Sequence, residues 1–391
     1  MRRLLRTTLA LTLVLTVSVF SSIGCWDKKE LDKLAIVAGF GVDQVQTAEG
    51  DRLLLTAQII KADQVISPEQ AGGSGKQSFL TDQSYGRTVF EGVRNFTFES
   101  SRRLFFPHNR VLIIGESLAR SGLHPIIDFF IRDPEPRPKQ YVLVAKGKAA
   151  DILSVKTGLE EIPALAIYEL LQDYGATSKV YPVTLQDLTK DLASKTKTAV
   201  LPMIELVSTS KKKTIMLDGT AVFKSDRMVG ELNINETRGL LWVLGKVHSG
   251  IIVFKLPPYR HDISMEILEA NRQIRPELRN GKPHVTVVID VEMIIGEITL
   301  TKNLTVPREN EKLERMASQG IKKEIRAALA KARQFNTDFF GFGEAFHSRR
   351  PKAWKTFGPN WDQIFPQLPV EIKVSTVIRR VGEATKFPIL Q

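Results

Sequence analysis

Cysteine is almost missing from this chain: there is one in 391 residues, at Cys25. That excludes an intramolecular disulfide framework and any multi-thiolate metal site. Histidine is thin as well. His108, His124, His248, His261, His284 and His347 stand apart, and no two share metal-ligand spacing. Neither a P-loop lysine motif nor a G-x-S-x-G elbow occurs. Gly39-Phe40-Gly41 has too few glycines, and no helix directly after it, to cradle a phosphate, so it reads as a strand-end turn. No fixed-period repeat is evident. Past residue 20, no apolar run reaches the ~20 residues that a spanning helix needs. Catalytic and metal chemistry are therefore without a visible constellation.

What the chain does have begins at its N-terminus. Three arginines lie within Met1–Arg6, an uncharged apolar run of about 14 residues follows, and Ser21, Ser22 and Gly24 are small. That order predicts an export signal over 1–24 rather than a core helix. Ser22-Ile23-Gly24-Cys25 then resembles a lipoprotein box, in which cleavage leaves Cys25 first and a diacylglyceryl group caps its thiol. Two acyl chains hold a protein at a membrane where one is marginal. An ordinary secretory signal with a leftover cysteine is the alternative. The expectation is an exported body carrying the lipid on Cys25 and no other cofactor. The formal charge is +12, near +9 once 1–24 is gone, which favours anionic partners.

The remaining residues are long enough for two or three domains. Strands are expected at 34–43, 53–60, 110–115 and 141–145, with helical spacing at 85–98, 117–130 and 161–173. Strands separated by helices indicate an N-terminal α/β domain over 25–195, with 186–200 as its exit linker. TIMLDGTAVF, a turn at Ser225-Asp226, and MVGELNI read as a hairpin. Asn235 is placed to cap the following helix, Gly245 to end it, and a strand returns at 250–256, giving a small central β-β-α-β domain over 205–258. After Pro257-Pro258 a third α/β domain, 260–391, has alternating strands at 285–295 and 370–378 around a long amphipathic helix, 309–335. The fold class is thus α/β (α+β), as three consecutive domains of mainly antiparallel or mixed sheet with packed helices.

Two places merit scrutiny as sites. Arg102, Arg103, Arg110, Arg132 and Arg137, with Asp133 and Glu135 among them, could receive a carboxylate or phosphate through forked hydrogen bonds, or simply tie a helix end to a sheet edge. The aromatic run 338–361, with Trp354 and Trp361 among Arg349, Arg350, Lys352 and Lys355, suits base stacking, a membrane interface or a partner protein. Its plainer reading is core packing with a basic rim. Nucleic acid is the least fitting partner for an exported, anchored protein. Lys211-Lys212-Lys213 reads as a solvated turn.

Together the pieces resemble a family. Cys25-Trp26-Asp27 with Ile36 to Asp43, His108-Asn109-Arg110, and Arg132 to Arg137 are similar to the Ger(x)C lipoproteins, the C subunits of GerA-type spore germinant receptors. So are Asp218 to Phe223, Gly239-Leu240-Leu241-Trp242, and Asp338 to Gly343 with Trp354 and Trp361. Ser22 departs from the usual leucine of the lipobox. The resemblance implies three α/β domains hung from the outer face of the inner spore membrane by a lipidated Cys25. It implies work beside integral-membrane A and B subunits in sensing nutrients such as amino acids or sugars, and no catalysis. Arg110, Arg132, Arg137, Trp354 and Trp361 are the candidate contacts for those partners or for a small nutrient germinant. The competing expectations are a lipid-anchored solute-binding protein of a transporter and an exported cell-wall hydrolase.

Overall fold

Strand β1 (Leu34–Thr47) is buried almost continuously through Asp43, as a strand covered on both faces must be. The computed structural model describes residues 33–61, 78–156, 160–208, 213–256, 261–298 and 307–379, together with Thr8. Strand β1 is the hub of the first sheet. It pairs antiparallel with β2 (Gly50–Ile60), which carries β3 (Phe79–Gly86), and parallel with β4 (Arg103–Phe105) and β5 (Val111–Gly115). β6 (Tyr141–Ala145) and β7 (Val200–Ser208) continue in parallel. The order is β3-β2-β1-β5-β6-β7-β8-β9, ending in the antiparallel hairpin of β8 (Lys213–Lys224) and β9 (Arg227–Leu232).

Helices cover both faces of this sheet. On one side lie α1 (Val89–Glu99), α2 (Glu116–Ser121) and α3 (His124–Arg132). There Phe40, Val42 and Leu112 meet Phe96, Leu118 and Ile126. On the other lie α4 (Ala149–Ser154) and α5 (Pro163–Gln172), where Ala38, Val111 and Ile113 meet Leu153, Ala164 and Ile167. Gly39 and Gly41 stand in the middle of β1, not at a strand-end turn. A Cβ on Gly39 would lie 2.6 Å from the Ala164 Cβ, so the missing side chain is what lets α4 and α5 approach. The helix expected over 117–130 is two, parted at Gly122, whose φ is +136°. The expected linker 186–200 is largely α6 (Leu185–Ala193), started by a capping box between Thr184 and Asp187.

The second sheet has the order β10 (Ile251–Leu256), β11 (His261–Arg279), β12 (Lys282–Ile298), β13 (Val370–Ile378). The alternation in β12 puts Val285, Val287, Ile289, Val291 and Met293 under helix α8 (Pro307–Phe335), whose stripe includes Leu313, Ala317, Ile321, Ile325 and Ala328. β13 lies parallel to β12, which the long crossover through α8 permits.

The segment 205–258, expected as a unit of its own, is divided between these two bodies. Its hairpin is hydrogen-bonded into the first sheet through β7, and its strand β10 is the edge of the second. Between them α7 (Ile234–Leu244) packs into the second core. Asn233, not Asn235, caps α7: its backbone is extended (φ −71°, ψ 175°), and its side chain accepts from the Asn235 and Glu236 N–H groups.

Candidate functional site

The motif residues fold into fixed hydrogen-bonded positions, and each has a distinct local cause. Asp43 enters the core at the C-terminal half of β1 and accepts the Ala149 and Ala150 N–H groups at 2.8 and 3.0 Å, so it caps α4 from more than a hundred residues away. A Cβ on Gly115 would run into the Asp43 Oδ1, so that glycine keeps the place open. Burial raises the Asp43 pKa, against the pull of those two N–H groups. Asn109, buried at the start of β5, has its carboxamide beside Gln140. With its NH2 turned toward β1 it donates to the Ala38 and Val111 carbonyls at 3.2 and 3.0 Å.

In the second core, Arg238 of α7 is only 4% exposed and clasps Glu324 of α8 with two nitrogens, Nε at 2.9 Å. Its third nitrogen donates to the Ile251 carbonyl of β10 at 2.9 Å, and Trp242 Nε1 donates to Glu324 at 2.9 Å. A Cβ on Gly239 would strike the Glu324 carbonyl, so the glycine permits the crossing of α7 and α8. Asp338 accepts from Phe342 N (3.0 Å), Gly343 N (2.7 Å) and Trp361 Nε1 (3.0 Å). Burial pushes its carboxyl up to about 6, although the Gly343 and Phe342 N–H groups and the Trp361 indole favour the ionised form.

The five expected contact residues do not converge. Trp361 is 5% exposed and spends its one donor on Asp338, which removes it from any outer surface. Trp354 is half-buried, its ring 5.3 Å from that of Trp361. The aromatic run is therefore chiefly core: Phe339, Phe340, Phe342, Phe346 and Phe365 are buried beside it. Arg110 lies 5.0 Å over the Tyr168 ring, Arg132 pairs with Asp128 at 2.8 Å, and Arg103 with Glu135 at 3.2 Å. Arg137 is exposed. The arginines thus do not close on a common pocket, and of them only Arg132 lines a cleft. Cys25, Lys211 and Lys212 lie outside the described residues.

Among the described residues, two surface clefts stand out. One, about 650 Å³, runs between α1 and α3 and is lined by Val89, Phe90, Pro125, Phe129 and Arg132. The other, about 520 Å³, lies where α3, α6 and the 225–226 turn meet Asn336 and Trp361, and it mixes His124, Asp128, Lys197, Lys224 and Asp226. Among the described residues no group of three or more His, Cys, Asp or Glu could hold a metal, and no helix is long and apolar enough to cross a membrane. Sequence reasoning missed the Asp43 cap, whose signal is an aspartate inside a buried strand, and the Asn233–Glu236 capping box, whose signal is the N-x-x-E spacing. It also missed the exposed Phe90 and Phe98, for which periodicity gives no warning.

The fold is a two-sheet α/β body whose motif residues Asp43, Arg238 and Asp338 are committed to internal hydrogen bonds. Residues 27–206 match the family described as Spore germination protein N-terminal domain, and residues 218–382 match Spore germination B3/GerAC like, C-terminal. The chain belongs to the Ger(x)C family of spore germination proteins. It is 30% identical to spore germination protein KC of Bacillus subtilis (strain 168), over 95% of each chain. It is 25% identical to spore germination protein B3 of the same organism, covering 93% of this chain and 95% of that one. The crystal structure of the GerBC protein shares the fold at a TM-score of 0.56 and 22% identity, covering 90% of this chain and all of that one. The gap between the two matched regions, residues 207–217, lies across the paired strands β7 and β8, inside the first sheet.

Proposed function

We propose that this chain is the non-catalytic, lipid-anchored C subunit of a nutrient germinant receptor, acting in spore germination with integral-membrane A and B subunits. The observation that carries this reading is the end-to-end likeness to spore germination protein KC, across 95% of both chains. The diacylglyceryl group on Cys25 would be the anchor, and the outer face of the inner spore membrane the location. The internal duties of Asp43, Arg238 and Asp338 support a scaffold role, since each is spent on holding elements together.

Cys25→Ala is expected to release the protein from spore membranes and impair nutrient-triggered germination. Normal retention and germination in that variant would sink the anchor. Co-purification from the spore inner membrane should bring two integral-membrane subunits along. The solute-binding reading needed polar groups converging in an inter-domain cleft, and the arginines it relied on do not close on a common pocket.

A further inference from the structure

The end of the first sheet where the chain enters is both cationic and oily. Leu34, the first residue of β1, is in register with Arg103, the first residue of β4. Strand β3 runs parallel to β1, so α1 returns to this same end, and its last turn carries Phe98. At 85%, Phe98 is the most exposed large apolar side chain among the described residues. Helix α3 ends against the first turn of α1, where Arg132 and Pro134 share a cleft with Val89 and Phe90, and the loop after it is held to β4 by the Arg103–Glu135 pair at 3.2 Å.

This end of the sheet exposes Arg102, Arg103, Arg110, Arg132, Arg137 and Lys139, against the carboxylates Glu99, Asp128, Asp133 and Glu135. Two of the arginines are already paired, Arg103 with Glu135 at 3.2 Å and Arg132 with Asp128 at 2.8 Å, which leaves Arg102, Arg110, Arg137 and Lys139 against Glu99 and Asp133. The excess is therefore positive, at the end of the sheet that carries the protruding Phe98 ring. Arginine binds phosphate oxygens through its fork, while an exposed ring fits the headgroup layer. Only eight residues separate Cys25 from Leu34, a reach of at most about 30 Å. An anchor at Cys25 therefore keeps the Leu34 end of the first sheet within about 30 Å of the bilayer.

We infer that this end of the sheet is a second membrane contact: Phe98 enters the headgroup layer of an anionic phospholipid bilayer, and Arg102, Arg137 and Lys139 bind its phosphates. The lipid-anchor reading supplies the orientation. Acyl chains joined to a polybasic surface hold more firmly than chains alone, and the basic part weakens with salt.

The test uses the acylated full chain carrying Phe98→Cys, labelled there with an environment-sensitive nitrobenzoxadiazole, since acylation occupies the thiol of Cys25. It is reconstituted in vesicles of phosphatidylcholine, with or without phosphatidylglycerol, containing nitroxide-bearing lipids. The expected result is several-fold stronger quenching in the phosphatidylglycerol vesicles. High salt should abolish that difference in the same protein, and Arg102→Glu with Arg137→Glu should abolish it at low salt. An anchored protein whose label is quenched equally in both vesicles, or in neither, overturns the docking and leaves the anchor standing. A wild-type chain that takes up label has a free Cys25, which sinks the anchor alone. The docking is then read from the Phe98→Cys, Cys25→Ser chain by the same comparison, with the same outcomes for and against.

Discussion

Asp338 joins three segments through one carboxylate: the N–H groups of Phe342 and Gly343 and the indole of Trp361 all end on it. Its pKa is raised to about 6 by burial, while an unfolded aspartate titrates near 4. Between about pH 4 and pH 6 the folded state therefore keeps a proton that the unfolded state has released. Where the native state binds more protons, stability falls as pH rises. A shift of this size is worth about 2–3 kcal/mol across that window. Asp338→Asn removes the titration, so urea melts should show the wild type losing stability from pH 4 to 6 relative to the variant. Parallel pH profiles for the two would refute this. The aspartate was legible in the sequence as part of a motif but not as a buried carboxylate, because nothing in D-F-F-G-F-G tells which side chain turns inward. Trp361 illustrates the same limit: its spacing from basic residues suited a surface contact, yet its indole is committed inside.

The contact of α7 with α8 rests on a buried ion pair, and its two halves are unequal in consequence. Removing Arg238 leaves Glu324 buried with Trp242 as its remaining side-chain donor, at a cost of about 3–5 kcal/mol. Arg238→Ala should lower the urea midpoint accordingly. Arg238→Met with Glu324→Gln, which keeps an acceptor for the indole, should recover part of the loss. A variant Arg238→Ala within about 1 kcal/mol of wild type would show that the pair is not what holds the helices. Elements like these were the best-read part of the sequence. Periodicity marked α8, alternation marked β12 and β13, and the Ser225-Asp226 turn marked the β8–β9 hairpin, whose Ser225 indeed has φ of +54°. Ends were read less well, because Asn235 and Asn233 are both capping residues and only the backbone decides between them.

The division of the whole molecule could not be read locally. A hairpin signal at 215–232 says strand, turn, strand, but not which sheet receives it, and its partner β7 straddles the end of the expected linker 186–200 and the start of the expected central unit 205–258. The outcome is two sheets with α7 as the crossing element, rather than three successive units. A fragment covering residues 33–208 should therefore expose β7 as a raw edge and self-associate, while 33–232 should run as a monomer in size-exclusion chromatography. Equal behaviour of the two would argue against continuity of the first sheet. The parallel pairing of β13 with β12 has a bearing on how the chain is made. Every strand of the first sheet is synthesised before any strand of the second, so the first can close while the rest is still being translated. The second cannot, since β12 waits for a partner that arrives more than seventy residues later, at the far end of the message. A ribosome that stops early thus releases a molecule with a finished front and an open back, its unpaired strand available to proteases.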